Sequence, residues 1–258
     1  MNILMLAKYC KNSLYGLSRI FLFRSLWPIL SEVIMFFHQA SNLPSTLFKN
    51  MEIAPASSLF FDKRSGGWAG QSWQEVAQKV QDIAKFLISK GLQADDKVMI
   101  SSENRSEWAI ANIAIMSVGA VVVPAYTTLT QSDYEFLIEH SHTRFIFTSS
   151  GSLADSLENA AKTVGGVDAI IYFDERPPHK KNSGIESYDW KEIHTINHLD
   201  SEFISSVNKI AAENVCCIIY TSGTGGTPKG VMLSHKSIQA NISAAADLLA
   251  EGNVEKKT

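Results

Sequence analysis

The residues Tyr220-Thr221-Ser222-Gly223-Thr224-Gly225-Gly226-Thr227-Pro228-Lys229-Gly230 stand between two apolar runs, residues 215–219 and 231–233. Short apolar runs bounded by Gly and Pro read as strands, so this segment is a loop joining two strands. Its composition suits an anion. Gly223, Gly225 and Gly226 let backbone N–H groups converge where a Cβ would intrude. Thr221, Ser222, Thr224 and Thr227 add hydroxyl donors, and Lys229 adds a mobile positive charge. A triphosphate is the ligand such a cradle fits. Two other phosphate loops are excluded. A mononucleotide P-loop requires Gly-Lys-Ser/Thr opening a helix, whereas Lys229 stands between Pro228 and Gly230 with a strand-like run after it. A G-x-G-x-x-G fingerprint fails as well, because Pro228 occupies the third glycine position counted from Gly223.

Upstream of the loop, helix and strand signals alternate. Residues 57–61 read as a strand and 62–67 as the turn after it. Ser72 with Glu75 forms a capping-box pattern, and Trp73, Val76, Ala77, Val80, Ile83, Ala84 and Leu87 repeat at helical spacing until Gly91. Residues 97–101 and 121–123 are strands. Between them, residues 107–118 form a helix so uniformly apolar that it must be buried, yet too short to span a bilayer. Thr130 with Asp133 caps a helix to His140, residues 144–148 and 168–173 are strands, and 153–164 are a helix. Residues 174–187, with Pro177, Pro178, Lys180 and Lys181, read as a polar surface loop. Ser234 caps a last helix over residues 235–250, followed by a charged tail. Strands separated by helices of this length predict an α/β fold, with a largely parallel sheet flanked by helices.

The chain has 258 residues, 45% of them hydrophobic, which is enough to bury a sizeable core. Its net charge of −3, without a basic stripe interleaved with aromatics, gives no nucleic-acid footprint. Three cysteines make no disulfide framework and predict a reduced, cytoplasmic setting. Cys216 and Cys217, adjacent on a strand, are expected to be core residues facing opposite sides. No spacing of His, Cys, Asp or Glu predicts a metal site. His140, His142 and His235 read as surface or capping groups outside any acid–base constellation, so no catalytic residue is assigned.

Charge is uneven along the chain. Residues 1–31 carry Lys8, Lys11, Arg19 and Arg24 and no acid, leaving 19 basic against 26 acidic side chains in residues 32–258. Residues 1–42 read as an amphipathic, basic, helical N-terminal extension, broken near Pro28. Phe21, Phe23 and Trp27 beside Arg19 and Arg24 predict peripheral membrane contact through residues 1–40, on the inner face of a membrane. Charges interrupt every apolar stretch before a spanning length is reached.

The loop resembles the phosphate-binding loop of the adenylate-forming acyl-CoA synthetase superfamily, close to Tyr-Thr-Ser-Gly-Thr-Thr-Gly-x-Pro-Lys-Gly. Ten of eleven positions fit; the departure is Gly225, where the family usually carries threonine or serine. Residues 102–108 (Ser-Glu-Asn-Arg-Ser-Glu-Trp) and 119–126 (Gly-Ala-Val-Val-Val-Pro-Ala-Tyr) are similar to the N-terminal half of long-chain fatty acid:CoA ligases. The similarity runs from Leu43 to Ala250. It implies that residues 43–258 are part of an AMP-binding domain, the N-terminal part of the adenylate-forming enzyme large domain. It also implies ATP, Mg²⁺ and CoA, with a fatty acid as substrate. In that family a carboxylate attacks the α-phosphate of ATP, pyrophosphate leaves, and the CoA thiol attacks the acyl-adenylate. Thr221, Ser222, Gly223, Thr224, Gly225, Gly226, Thr227 and Lys229 would stabilise the charge that builds on the β and γ phosphates. The family's adenine and ribose motifs, acidic metal ligand and C-terminal domain have no counterpart here. The expectation is therefore either a truncated or split ligase, inactive alone, whose missing half lies elsewhere, for instance on a second polypeptide, or a remnant without turnover. The alternative is a non-catalytic, membrane-attached nucleotide-binding half-domain that pairs with another chain.

Overall fold

A computed structural model describes residues 40–64, 67–175, 184–193, 198–221 and 227–254. Residues 1–39 of the expected membrane-interface segment, Lys180 and Lys181 of the polar loop, and Ser222, Gly223, Thr224, Gly225 and Gly226 lie outside the described residues. The elements in order are α1 (Leu43–Ile53), β1 (Ser58–Arg64), β2 (Gly67–Ser72), α2 (Trp73–Ser89), β3 (Lys97–Ser101), α3 (Ser106–Val118) and β4 (Val121–Pro124). There follow α4 (Gln131–Ser141), β5 (Thr143–Thr148), α5 (Ser152–Val164), β6 (Ala169–Tyr172), β7 (Glu186–Asp189) and α6 (Trp190–Ile193). The last are α7 (Ser201–Asn208), β8 (Val215–Thr221), β9 (Lys229–Ser234) and α8 (His235–Val254).

The helix starts follow the local chemistry read from the sequence. Ser72 Oγ accepts from the Glu75 N–H while Glu75 accepts from the Ser72 N–H at 2.7 Å, and Thr130 with Asp133 repeats the arrangement at α4. Each reciprocal pair satisfies two N–H groups that a helix leaves open. At the other end of α3, Gly119 takes φ 83°, and a Cβ there would approach Ala94 Cβ to 3.3 Å. Only glycine closes that helix without strain.

Seven strands form one sheet in the order β7-β6-β5-β3-β4-β8-β9, parallel from β7 to β8 and antiparallel between β8 and β9. Side chains alternate between two buried layers, as the period of a strand requires. Val98, Ile100, Val122, Phe145, Phe147 and Ile171 join the layer under α1, α2, α3, α6 and α7. Met99, Val121, Val123, Ile146, Ile170 and Tyr172 face α4 and α5. With both faces covered, the strands carry the continuous apolar runs typical of parallel sheets. Among the described residues, no helix is long and apolar enough to cross a membrane.

The structure corrects four readings. The turn expected at residues 62–67 is shorter: β1 continues to Arg64, β2 begins at Gly67, and the two form an antiparallel hairpin outside the main sheet. The loop expected over residues 174–187 gives way at Glu186 to β7, which extends the sheet beside β6. Cys216 and Cys217 do not divide between the two layers. The register of β8 on β9 shifts between Val215 and Cys217, and both side chains join the same cluster. A bulge of this kind adds one residue and cancels the strict alternation. Burial pushes the Cys216 thiol to about 12 and Cys217 to about 11, which leaves both as inert core groups.

The fourth correction concerns His235. It is 2% exposed, and its Nδ1 accepts a hydrogen bond from the Leu43 N–H at 3.4 Å. Burial depresses its pKa from 6.5 to about 4, so the folded protein holds it neutral. An unfolded chain binds that proton more readily, so the stabilisation is fully present above pH 6.5 and is lost as the pH falls toward 4. We expect the unfolding free energy to drop by about 1.5 kcal/mol between pH 6.5 and pH 5, above the window in which carboxylates titrate. Urea unfolding at the two pH values checks it: His235→Asn should remove most of the slope, and an unchanged slope in that variant contradicts the assignment.

Candidate functional site: a phosphate loop between two strands

The loop springs from the carboxyl end of β8, which runs parallel to β4 beside it. Ligands of open α/β sheets gather outside the carboxyl ends of the strands. The last β8 residue, Thr221, is paired with the first β9 residue, Lys229, and Tyr220 with Gly230. The antiparallel ladder therefore brings the two ends of the loop together, with Thr221, Thr227 and Lys229 all exposed at its mouth. Among the described residues, no carboxylate pairs with the Lys229 ammonium. A free ammonium and two exposed hydroxyls at the base of a Gly/Thr loop are the donor set that phosphate oxygens need.

The root of the loop is packed tightly. Gly230 lies against Ile218 and Tyr220; a Cβ built on it would stand 2.9 Å from Ile218 Cγ2 and 3.3 Å from the Tyr220 ring. Tyr220 in turn lies 2.7 Å, hydroxyl to Nδ1, from His140 near the end of α4. Its ring meets Phe136 edge-on at 6.2 Å, and Phe136 stacks on His140 at 5.3 Å. Burial holds the Tyr220 phenol above its usual range, so it remains protonated at neutral pH. Sequence reading placed His140 among surface groups and did not connect it with Tyr220; the two are 80 positions apart, and only the fold brings them together.

Residues 102–108 serve a second carboxyl-edge feature. Arg105 bonds Glu107 Oε2 through Nε at 3.0 Å and both Asp174 oxygens through one terminal nitrogen at 3.0 Å, with its guanidinium 5.3 Å from the Phe173 ring. This fork ties the loop after β3 to the end of β6. Despite burial, the Arg105 pair holds the Glu107 carboxyl below its ordinary value. Trp108 is partly buried against the core and anchors the start of α3 there. Tyr134 completes this edge, donating its hydroxyl to Tyr126 O at 2.6 Å and lying 3.1 Å from Ser101 Oγ. Among the described residues, no three His, Cys, Asp or Glu side chains group to hold a metal ion.

A mostly parallel α/β sheet flanked by helices, with a Gly/Thr/Lys loop at the carboxyl end of one strand, is the fold of adenylate-forming enzyme domains. The chain belongs to the AMP-binding enzyme family, whose model matches residues 50–256. It is 29% identical over 201 residues to long chain acyl-CoA synthetase 1 of Arabidopsis thaliana, covering 76% of this chain and 30% of that protein. It is 27% identical over 204 residues to a long-chain-fatty-acid–CoA ligase of Mycobacterium tuberculosis, covering 79% of this chain and 33% of the relative. The chain thus spans about a third of the curated relatives it matches, a smaller share than the half expected from the resemblance. Among solved structures, coronafacic acid ligase from Pectobacterium brasiliense aligns with a TM-score of 0.62 at 20% identity, over 76% of this chain and 35% of that one. The anthranilate CoA ligase AuaEII, in complex with anthranoyl-AMP, aligns with a TM-score of 0.61 at 20% identity over the same shares. These likenesses establish the fold.

Proposed function

We propose that the loop bounded by Thr221 and Lys229 binds the β and γ phosphates of ATP. In this reading the chain supplies the pyrophosphate-holding part of an ATP-dependent ligase that activates a long-chain fatty acid to acyl-adenylate and then to acyl-CoA. The observation that carries it is the pairing of Thr221 with Lys229 at the carboxyl end of β8, with Lys229 exposed at the mouth. As the bond between the α-phosphorus and its bridging oxygen breaks, the electron pair leaves with pyrophosphate. Fixed N–H groups and a lysine aimed at that group stabilise the departing charge without reorganising. The backbone at Ser222, Gly223, Thr224, Gly225 and Gly226 would supply the N–H donors, and Thr221, Thr227 and Lys229 the side-chain ones. Mg²⁺ would neutralise phosphate charge when bound, and no described side chain is assigned to it. CoA and the fatty acid follow from the family relationship.

Adenylation also needs a nucleotide pocket and groups facing the loop, held together in one geometry. We infer that these come from outside these 258 residues, as a continuing chain or as a second polypeptide. β9 closes the sheet order, and Val231 and Met232 on it are 45% and 69% exposed, a surface ready for such a neighbour. The test incubates the purified chain with ATP, Mg²⁺, CoA and fatty acids of graded length, scoring bound ATP, AMP and acyl-CoA. We expect ATP binding without acyl-CoA formation. Turnover by a monodisperse monomer refutes the inference of an external half, and no ATP binding refutes the loop assignment. The second reading, a non-catalytic nucleotide-binding half-domain, rests on the same exposed β9 edge. It predicts ATP binding that never yields acyl-adenylate, even with a complementing chain.

A further inference from the structure

We propose that His140 and Tyr220 form a positioning pair that sets the two ends of the phosphate loop, an inference that rests on the loop's assignment to ATP. Tyr220 is the last β8 residue before Thr221 and faces Gly230, the β9 residue after Lys229. Whatever fixes the Tyr220 ring therefore fixes both residues from which the loop springs. Three contacts do so: the His140 Nδ1 at 2.7 Å from the phenol oxygen, the Phe136 edge, and the flat backbone of Gly230, where no Cβ holds the ring off.

β8 needs this support, because its pairing with β4 is a single Cα register pair, Val122 with Cys217, three residues before Tyr220. Beyond that pair its strand neighbour among the described residues is β9, at the edge of the sheet. A two-stranded ribbon that leaves its sheet twists freely unless a side chain ties it down. The tie runs through the half-buried Tyr220 to α4, a helix held at its own start by the Thr130 and Asp133 capping box and by Tyr134. Neither His140 nor Tyr220 need touch the nucleotide. Their contribution is to hold Thr221 and Lys229 at the spacing that the β and γ phosphates require, and geometry of that kind reads out in affinity more than in folding.

The test is a double-mutant cycle on the full chain, titrated with Mg-ATP by calorimetry, with the melting temperature of the ligand-free protein measured in parallel. Tyr220→Phe removes only the hydroxyl, and His140→Ala removes its partner. Each is expected to weaken ATP binding about fivefold, and the double variant no more than either single one, since both delete the same bond. His140→Asn places an amide at the Nδ1 position and should restore most of the affinity. Ligand-free melting temperatures should stay near that of the unaltered chain. Lys229→Ala separates the two levels of the argument. If Lys229→Ala loses ATP binding while Tyr220→Phe and His140→Ala keep it, the loop assignment stands and the positioning pair is overturned. Losses that add in the double variant, or that track a fall in melting temperature with no recovery in His140→Asn, also overturn it. If the unaltered chain and Lys229→Ala bind ATP equally, the loop reading falls and the pair falls with it.

Discussion

Lys229→Ala should weaken Mg-ATP binding by about ten- to a hundredfold while leaving the fold intact. The magnitude follows from losing a charge-assisted hydrogen bond to phosphate, worth about 1.5–3 kcal/mol, at about 1.4 kcal/mol per tenfold in affinity. Its harmlessness to folding follows from the structure, where Lys229 is exposed at a strand end and no described carboxylate depends on it. The backbone pairing of Lys229 with Thr221 does not involve the side chain and survives the change. Lys229→Arg is the informative companion. It keeps the charge but replaces a compact ammonium with a wider planar fork, so it should recover part of the affinity only. Binding should also weaken with added salt, and by less in Lys229→Ala, because the removed charge no longer contributes a screened attraction. Equal affinity in the two proteins, measured by calorimetry or by displacement of a fluorescent ATP analogue, would remove Lys229 from the site.

Features that depend on local chemistry were legible in the sequence, and those that depend on distant packing were not. The capping pairs Ser72/Glu75 and Thr130/Asp133 appear in the structure as read, because a cap uses residues three apart and nothing else. The apolar strands from Lys97 to Tyr172 were legible because a parallel sheet buried on both faces admits little but Val, Ile, Phe and Met. β2 escaped notice because Gly67-Trp68-Ala69-Gly70-Gln71-Ser72 has two glycines and no alternation; it is a strand because β1 pairs with it. β7 is polar, Glu186-Ser187-Tyr188-Asp189, and borrows its conformation from β6 at the edge. Of the candidate site, the Gly/Thr/Lys composition of residues 220–230 was legible, and the phosphate role proposed for it rests on that composition. The support for that loop was not legible: a histidine 80 positions away, and a glycine needed for a close approach by Tyr220, are visible only once β8, β9 and α4 are assembled.

Asn42→Ala is expected to cost about 3 kcal/mol of stability. Asn42 is fully buried. Its Oδ1 accepts from the Ser45 N–H at 2.9 Å and caps α1, while its own N–H donates to Ser45 Oγ. Its Nδ2 donates to Val207 O at 2.8 Å and Ile210 O at 3.0 Å, at the end of α7. One side chain thus joins the entry of α1 to the segment that leads into β8. Alanine deletes the cap, worth about 1 kcal/mol, and two buried hydrogen bonds at about 1 kcal/mol each, leaving Val207 O to the Ile210 N–H and Ile210 O without its Asn42 donor. Asp separates the two effects. It caps helices as well as Asn does, so if capping were the whole role Asn42→Asp would be nearly neutral. Instead it turns a carboxylate oxygen toward the Val207 and Ile210 carbonyls, and the buried charge meets two acceptors. Asn42→Asp should therefore destabilise at least as much as Asn42→Ala at neutral pH, and recover partly as acid protonates the carboxyl. Urea unfolding of the three proteins at pH 7 and pH 4.5 decides it, and near-wild-type stability of Asn42→Asp at pH 7 would reduce the residue to a helix cap.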